Sequence, residues 1–507
     1  MNDLTLIAAT GAELPAPFKG RHLIDGAWLG SADGATFDRI SPAHGVLVSR
    51  SAKGGEAETL AAIAAARAAF DKGDWAFSSG KDRAAILNRV ADLIDRERER
   101  IARIEVLESG KPIAQARGEI EGAADIWRYA AALARMIHGD SANSLGADML
   151  GLVLKEPIGV AAMITPWNFP FLIVSQKLPF ALAAGCTAVV KPSEMTPSTT
   201  VILGELLQEA GLPAGVCNIV LGYGDPVGAI MSSHPDVDMV SFTGSTGVGK
   251  RIVAAAAGTL KKVSLELGGK NPQVIFPDAD LDAAADAITF GIYFNAGECC
   301  NSGSRIIVHE DVAEALTARI AELSRKVPFG DPLSDATQVG AIISDDHLAK
   351  IDGYVKGAQA AGAKVVIGGG VLAVPAMEAG RFYQPTVVSG VTPDMAIARE
   401  EVFGPVLSVL TFRTEAEAIQ LANDASFGLS AGVWSRDVHT CLNFARRVRA
   451  GTVWTNTWMD GFAELPFGGV KESGLGRELG RFGIEEYLEL KTVQMRVARG
   501  RNNWVRG

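Results

Sequence analysis

Residues 187–213 read TAVVKPSEMTPSTTVILGELLQEAGLP. TAVVKP has the length and apolar content of a buried strand, and 197–210 reads as a helix. Thr196 is placed to cap that helix and Pro197 to open its first turn. Gly211 ends it, and Pro213 follows. The unit repeats on both sides. GVAAMI (159–164) precedes it; CNIVLG (217–222), MVSFTG (239–244) and KVSLEL (262–267) follow, with helices predicted at 225–233 and 246–257. Near-continuous apolar strands separated by helices indicate a parallel, doubly wound sheet. Such sheets bind ligands at the carboxyl ends of their strands.

Upstream, residues 1–55 read as turns and short strands, and helices are predicted over 56–70, 82–107 and 113–137. Downstream of Gly268-Gly269 a second series begins: PQVIF, a helix at 281–293, RIIVH, helices at 312–325 and 346–361, KVVIG and PVLSVLTF. It continues with a helix at 415–424, SAGVWS, a helix at 437–448 and GTVWTN, which makes a second α/β domain. The tail YLELKTVQMRV (487–497) alternates like a strand and has no local partner, so pairing with another element or subunit is expected.

The 507 residues are too many for one core, so two or three domains are expected. With 48% hydrophobic and 21% charged residues the chain is of globular composition. A net charge of −10, a pI of about 5.4 and the lack of a basic run argue against nucleic acid and anionic membranes as partners. The five cysteines show no CxxC spacing and the seven histidines are scattered, which implies no metal and suits a reducing compartment. The N-terminal MNDLTLIAATGAELPAPF lacks the features of a signal peptide. The longest apolar stretch, 159–174, is interrupted well short of the roughly 20 residues of a membrane span. Cytoplasm is the default expectation.

Several stretches carry chemistry. FNAGECCNSGSR (294–305) holds Cys299 and Cys300 among small residues that permit tight turns and close approach. A thiol there is either a nucleophile or one of a buried, inert pair, and both readings stand on these residues alone. GSTGVGK (244–250) follows a strand and opens a helix, the setting for phosphate binding. It is neither a Walker A loop, since Arg251 replaces the required hydroxyl, nor GxGxxG. In KPSE (191–194), Lys191 and Glu194 sit where a ribose would lie; a carboxylate there accepts from ribose hydroxyls and repels a 2′-phosphate. Glu266 of LELGGKN (265–271), with apolar neighbours, is a candidate general base. Asn168, bracketed by prolines in PWNFP (166–170), is a candidate oxyanion donor. A cleft between the domains would bring Asn168, Glu266 and the thiols together.

In this order, PWNFP, KPSE, FTGSTGVG, LELGGKN, FNAGECCNSG, EEVFGPV (400–406) and PFGGVKESGLGRELG (466–480) resemble the aldehyde dehydrogenase superfamily, hydrolytic NAD-dependent type. The resemblance runs from about residue 20 to the C-terminus. It implies two doubly wound, Rossmann-like αβα domains and a small β-ribbon oligomerisation element. Residues 1–141 and 159–265 would bind NAD, 266–478 would form the catalytic domain, and 142–158 with 484–500 the ribbon. Dimers or tetramers are implied, with the tail strand extending a neighbouring subunit's sheet.

The family's nucleophile lies two positions after the Gln or Glu of its cysteine motif, which makes Cys300 the nucleophile and Cys299 its neighbour. The base maps to Glu266, the oxyanion amide to Asn168, and supporting proton-relay roles to Lys177 and Glu478. Cofactor contacts carry over to Ile164, Pro166, Trp167, Lys191, Glu194, Gly228, Phe242, Gly244, Ser245, Val248, Leu267, Glu401 and Phe403. Glu194 favours NAD over NADP. The implied reaction takes an aldehyde through a thiohemiacetal and a thioester to a carboxylic acid. Pocket candidates are Phe171, Val174, Gln176, Cys299, Asn301, Trp458 and Phe467. Gln176 replaces both the arginine of many semialdehyde enzymes and the tryptophan of many betaine aldehyde enzymes, so the subclass stays open and a polar or medium-sized aldehyde is favoured. The alternatives are a CoA-acylating enzyme, which typically lacks the base, and a catalytically silent structural or binding homologue.

Overall fold

The computed structural model describes residues 4–12 and 14–498, so residues 499 and 500 of the expected ribbon lie outside the described residues. Five strands of the first sheet are parallel. Their order is Lys262–Glu266, Met239–Thr243, Val160–Ile164, Thr187–Lys191 and Cys217–Ile219. The strand that comes first in the chain is central; the next two extend one side and the last two the other. The order therefore reverses between Val160–Ile164 and Met239–Thr243, and a crevice opens there at the carboxyl ends. Every residue of these two strands and of Thr187–Lys191 is buried, as the apolar runs require. One face is covered by Gly80–Ser109, Ile113–Ala134, Pro170–Ala184 and Ser198–Glu209, the other by Glu56–Lys72 and Thr246–Ala256. Antiparallel strands close both edges: His22–Ile24 beside Cys217–Ile219, and Gly474–Leu475 beside Lys262–Glu266. The latter pair reaches the first sheet from far along the chain.

Thr196 does not cap the next helix. Pro197 is already helical (φ −80°, ψ −26°) and no side chain of its own caps the turn. The buried Glu108 carboxylate does the work from a neighbouring helix, accepting from Ser198 N at 3.1 Å and Ser198 Oγ at 2.6 Å. A carboxylate at a helix N-terminus is favoured by the exposed N–H groups and the dipole. Local sequence does not carry that contact. Similarly, the helix expected at 225–233 is confined to Ala229–Ser233, after an irregular turn at Gly224–Gly228.

The second sheet runs Lys364–Ile367, Thr386–Ser389, Val406–Phe412, Arg305–His309, Pro272–Ile275, Ser430–Trp434 and Thr452–Thr455. Only the first of these is antiparallel to its neighbour. Thr386–Ser389 was not among the expected strands. This sheet has its own core, with Ile288, Leu316, Ile351 and Phe444 packed from its helices.

The tail strand Leu488–Arg496 has a partner in its own chain. It pairs antiparallel with Met149–Pro157 along its whole length, and Asp140–Ala142 completes a three-stranded ribbon. That partner lies more than half the chain away, which is why no local pattern reveals it. Leu490 and Leu154 of the ribbon are exposed.

Candidate active site

The crevice and the facing ends of the second sheet enclose a cavity of about 800 Å³. Asn168, Glu266, Cys299, Cys300 and Glu478 all line it. The thiol loop leaves the helix Leu281–Tyr293 through three consecutive left-handed residues: Asn295 (φ 51°), Ala296 (φ 55°) and Gly297 (φ 72°). Such a turn holds only when its surroundings fix it. Asn295 Nδ2 donates to the carbonyls of Asn168 (3.2 Å) and Glu298 (2.9 Å). Asn271 Nδ2 donates to those of Cys300 (2.8 Å) and Ser302 (2.9 Å). A Cβ at Gly297 would lie 2.2 Å from the Gly404 carbonyl oxygen. Gly297→Ala is therefore expected to cost roughly 2–4 kcal/mol, read as a lowered melting temperature together with lost activity.

Cys299 is buried against Phe169 and Ile173, whereas Cys300 is half-buried and lines the cavity. Both thiols point at Asn301 Oδ1, at 3.2 Å and 3.6 Å. The Cys300 thiol is held well above its ordinary range, first by its hydrogen bond with Cys299, then by burial and by the charges of Cys299 and Glu401. In this arrangement it rests as a thiol. Asn168 Nδ2 donates to the Glu298 carbonyl at 3.0 Å, so the amide is fixed beside the loop that carries the two cysteines.

Glu266 ends its strand with both carboxylate oxygens buried and without a hydrogen-bond partner. Burial, then the neighbouring Glu478 charge, pushes its carboxyl well above the ordinary range. Glu478 is paired with Lys177, which also donates to Ser241 Oγ at 3.0 Å; both members of the pair are buried. A proton acceptor with nothing tied to its oxygens, backed by a buried ion pair, is suited to activating water.

The expected cofactor residues split into two contiguous groups. Pro166, Trp167, Gly244, Ser245, Leu267, Glu401 and Phe403 line the cavity. Ile164, Phe242, Val248, Lys191, Glu194 and Gly228 lie outside that lining, on the first sheet's side. Ile164, Phe242 and Val248 share a core cluster with Leu267. A Cβ at Gly228 would approach Ile164 Cδ1 (3.6 Å) and Lys191 Cδ (3.8 Å). Lys191 Nζ donates to the carbonyls of Pro192 (2.8 Å) and Gly222 (3.0 Å) and lies 3.7 Å from the Glu194 carboxylate. Glu401 accepts from Gly269 N at 2.9 Å, and burial raises its carboxyl to about 7. Ser245 caps the helix Thr246–Ala256 without a side-chain hydrogen bond to it, and Gly244 and Ser245 leave that N-terminus facing the cavity. The Thr243 hydroxyl, just before it, is buried and without a partner. These features fit a dinucleotide, with its phosphates at the helix end.

On the substrate side, Gln176, Cys299, Asn301 and Phe467 line the cavity, but Phe171, Val174 and Trp458 do not. The helix Pro170–Ala184 explains the first two: its cavity face carries Leu172, Ile173 and Gln176, and its other face sends Phe171 and Val174 into the core. Trp458 packs on Trp454 and over the glycines at 291, 303 and 432, while its neighbours Thr457 and Met459 take the wall. Phe169, Phe294, Trp454, Phe462, His347 and Lys350 line the cavity too and were not anticipated, and Asp460 joins them. Helical spacing from Pro170 would have found Ile173; His347 gave no signal, standing in a charged helix start, SDDHLAK. Among the described residues no cluster of three or more His, Cys, Asp or Glu could hold a metal ion.

The profile of the aldehyde dehydrogenase family matches residues 28–493, and the chain belongs to that family. The chain is 42% identical over 481 residues to a betaine aldehyde dehydrogenase of Bacillus subtilis, covering 95% of this chain and 98% of the relative. It is 42% identical over 493 residues to aldehyde dehydrogenase 1A1 of Gallus gallus, covering 96% of each. Among solved structures, an NAD-dependent aldehyde dehydrogenase from Sinorhizobium meliloti superposes with a TM-score of 0.96 at 51% identity, over 99% of both chains. A betaine aldehyde dehydrogenase from Staphylococcus aureus in complex with NAD+ gives 0.94 at 40% identity, over 96% of both.

Proposed function

We propose that the protein oxidises an aldehyde to its carboxylic acid with NAD+, using Cys300 as nucleophile and Glu266 as general base. The observation that carries this reading is one cavity holding a half-buried thiol, a fixed amide and an unbonded buried carboxylate at the carboxyl ends of the first sheet. Pro166, Trp167, Lys191, Glu194, Gly244, Ser245, Glu401 and Phe403 hold the cofactor. When bound, NAD+ supplies the hydride acceptor. Cys300 Sγ, once deprotonated, attacks the aldehyde carbon, and Asn168 Nδ2 with a backbone N–H near Cys300 stabilises the oxyanion. Loss of the hydride leaves a thioester on Cys300. Glu266 then takes a proton from the water that attacks it, and Lys177 and Glu478 hold the charge balance behind Glu266. Mixing the protein with NAD+ and a panel of aldehydes, with CoA omitted, tests this reading. NADH formation without CoA is expected; strict dependence on CoA would contradict it.

Glu194 beside Lys191 supports NAD over NADP, since a carboxylate there repels a 2′-phosphate. Glu194→Gln is expected to narrow the NAD/NADP ratio of kcat/KM by about tenfold or more, for a charge–charge penalty of about 1.4 kcal/mol. Betaine aldehyde is the first compound to assay, given the relatives above and a cavity with aromatic walls (Phe169, Phe294, Trp454, Phe467) and an acidic residue, Asp460. The division into 1–141 with 159–265, 266–478, and 142–158 with 484–500 is supported by two separate cores, with Gly474–Leu475 crossing to the first sheet, and exposed ribbon residues support a ribbon-mediated homo-oligomer. A cytoplasmic enzyme accords with five free cysteines. Among the described residues no helix is long and apolar enough to cross a membrane.

A further inference from the structure

His347 begins a helix, Asp345–Ala360, whose cap Ser344 Oγ accepts from His347 N at 3.2 Å. Its side chain is mostly buried and lines the cavity between two walls. On one side, Nε2 lies 2.6 Å from the Phe403 carbonyl oxygen. A carbonyl only accepts, so Nε2 carries the proton and the tautomer is fixed. Phe403 is left-handed (φ 61°), a conformation that a phenylalanine keeps only when its neighbours hold it. The rings of His347, Phe403 and Trp167 close a triangle, with centroids 5.5–5.9 Å apart and edges on faces.

On the other side, the same Nε2 lies 3.8 Å from Glu298 Oε1. That carboxyl oxygen accepts from Ile343 N at 3.0 Å, and the Glu298 backbone carbonyl receives the Asn168 amide. Glu298 stands two residues before Cys300. Burial depresses the imidazole to about 4, so it remains a neutral donor through the neutral range.

We infer that His347 is a positioning residue for hydride transfer: its single N–H holds the Phe403 carbonyl while Ile343 N, four residues earlier, holds the Glu298 carboxyl, so the start of this helix ties the Phe403–Trp167 wall to the loop that carries Glu298 and Cys300. It sets the spacing between the cofactor's wall and the nucleophile, and it touches neither the water-activating carboxylate nor its ion pair. The inference rests on the NAD-dependent reading above. Loss of the N–H should therefore slow the NADH burst and raise KM for NAD, while hydrolysis of the thioester keeps its rate.

His347→Phe keeps an aromatic disc without the donor; His347→Gln keeps a donor of similar reach. With a good aldehyde, the Phe variant is expected to lose about tenfold in burst rate and to gain several-fold in KM for NAD, as for one hydrogen bond removed at a positioned wall. The Gln variant should recover to within about threefold of the wild type. A Phe variant equal to the wild type, a Gln variant as impaired as Phe, or an equal fall in burst and hydrolysis would each overturn the assignment. If the Phe variant fails to fold, His347→Ala takes its place: impaired Ala with active Gln supports the role, and equally active Ala and Gln overturn it. Wild-type protein runs alongside. Absence of NADH there speaks against the dehydrogenase reading itself, whereas a full wild-type burst with an unaffected variant speaks against His347 alone.

Discussion

Cys300→Ala is expected to abolish NADH production, by at least about 10⁴-fold, while NAD still binds. The half-buried Cys300 thiol is, among the described residues, the group best placed to form the covalent bond. Cys299 does not replace it, because its side chain is buried against Phe169 and Ile173 and turned to Asn301. The cofactor contacts proposed for Lys191, Glu194 and Glu401 are untouched by the substitution, so NAD binding by calorimetry or fluorescence should persist. The converse substitution, Cys299→Ala, should leave activity within about an order of magnitude. It removes a packing group and also the hydrogen bond that holds the Cys300 thiol above its ordinary range.

Glu266→Gln has the second largest expected effect and a different signature. The first turnover should still release NADH in a burst, because attack and hydride loss use Cys300 and Asn168. Steady turnover should then fall by about 10²–10⁴-fold, the range for a lost general base. The pH dependence follows from the same carboxyl. Burial and the Glu478 charge favour its protonated form. Its ionised fraction grows as pH rises through the raised pKa. Wild-type hydrolysis should therefore climb as pH rises above the ordinary carboxylate range, and the Gln variant should lack that limb. An unchanged steady rate in Glu266→Gln would remove the residue from the mechanism.

How much of this was legible before the fold was known depends on where each signal lies. The parallel sheet was written locally, in apolar runs that alternate with helices, and all five strands appear where those runs stand. The site's core was legible for the same reason. Asn168, Glu266 and Cys300 each sit in a short motif whose turn residues place them at a strand or helix end. What the sequence concealed depends on contacts between distant segments. Glu108 capping Ser198 joins positions that share no local pattern, and the tail strand beside Met149–Pro157 was indicated by the family resemblance rather than by any local pattern. Phe171, Val174 and Trp458 were expected in the pocket from the family resemblance, yet helix phase and a glycine-lined recess turn them inward. His347 was invisible for the opposite reason: its surroundings read as a solvated helix start.

The central claim is a thioester on Cys300 that Glu266 clears. It is tested most directly by mixing Glu266→Gln with NAD+ and an aldehyde that the wild type oxidises, quenching after the burst, and weighing the peptide that contains residues 298–305. The expected result is a peptide heavier by the mass of the aldehyde less two hydrogens, with the adduct on Cys300, in amount equal to the burst. NADH released in a burst with no adduct on that peptide, or an adduct on Cys299 instead, would contradict the account.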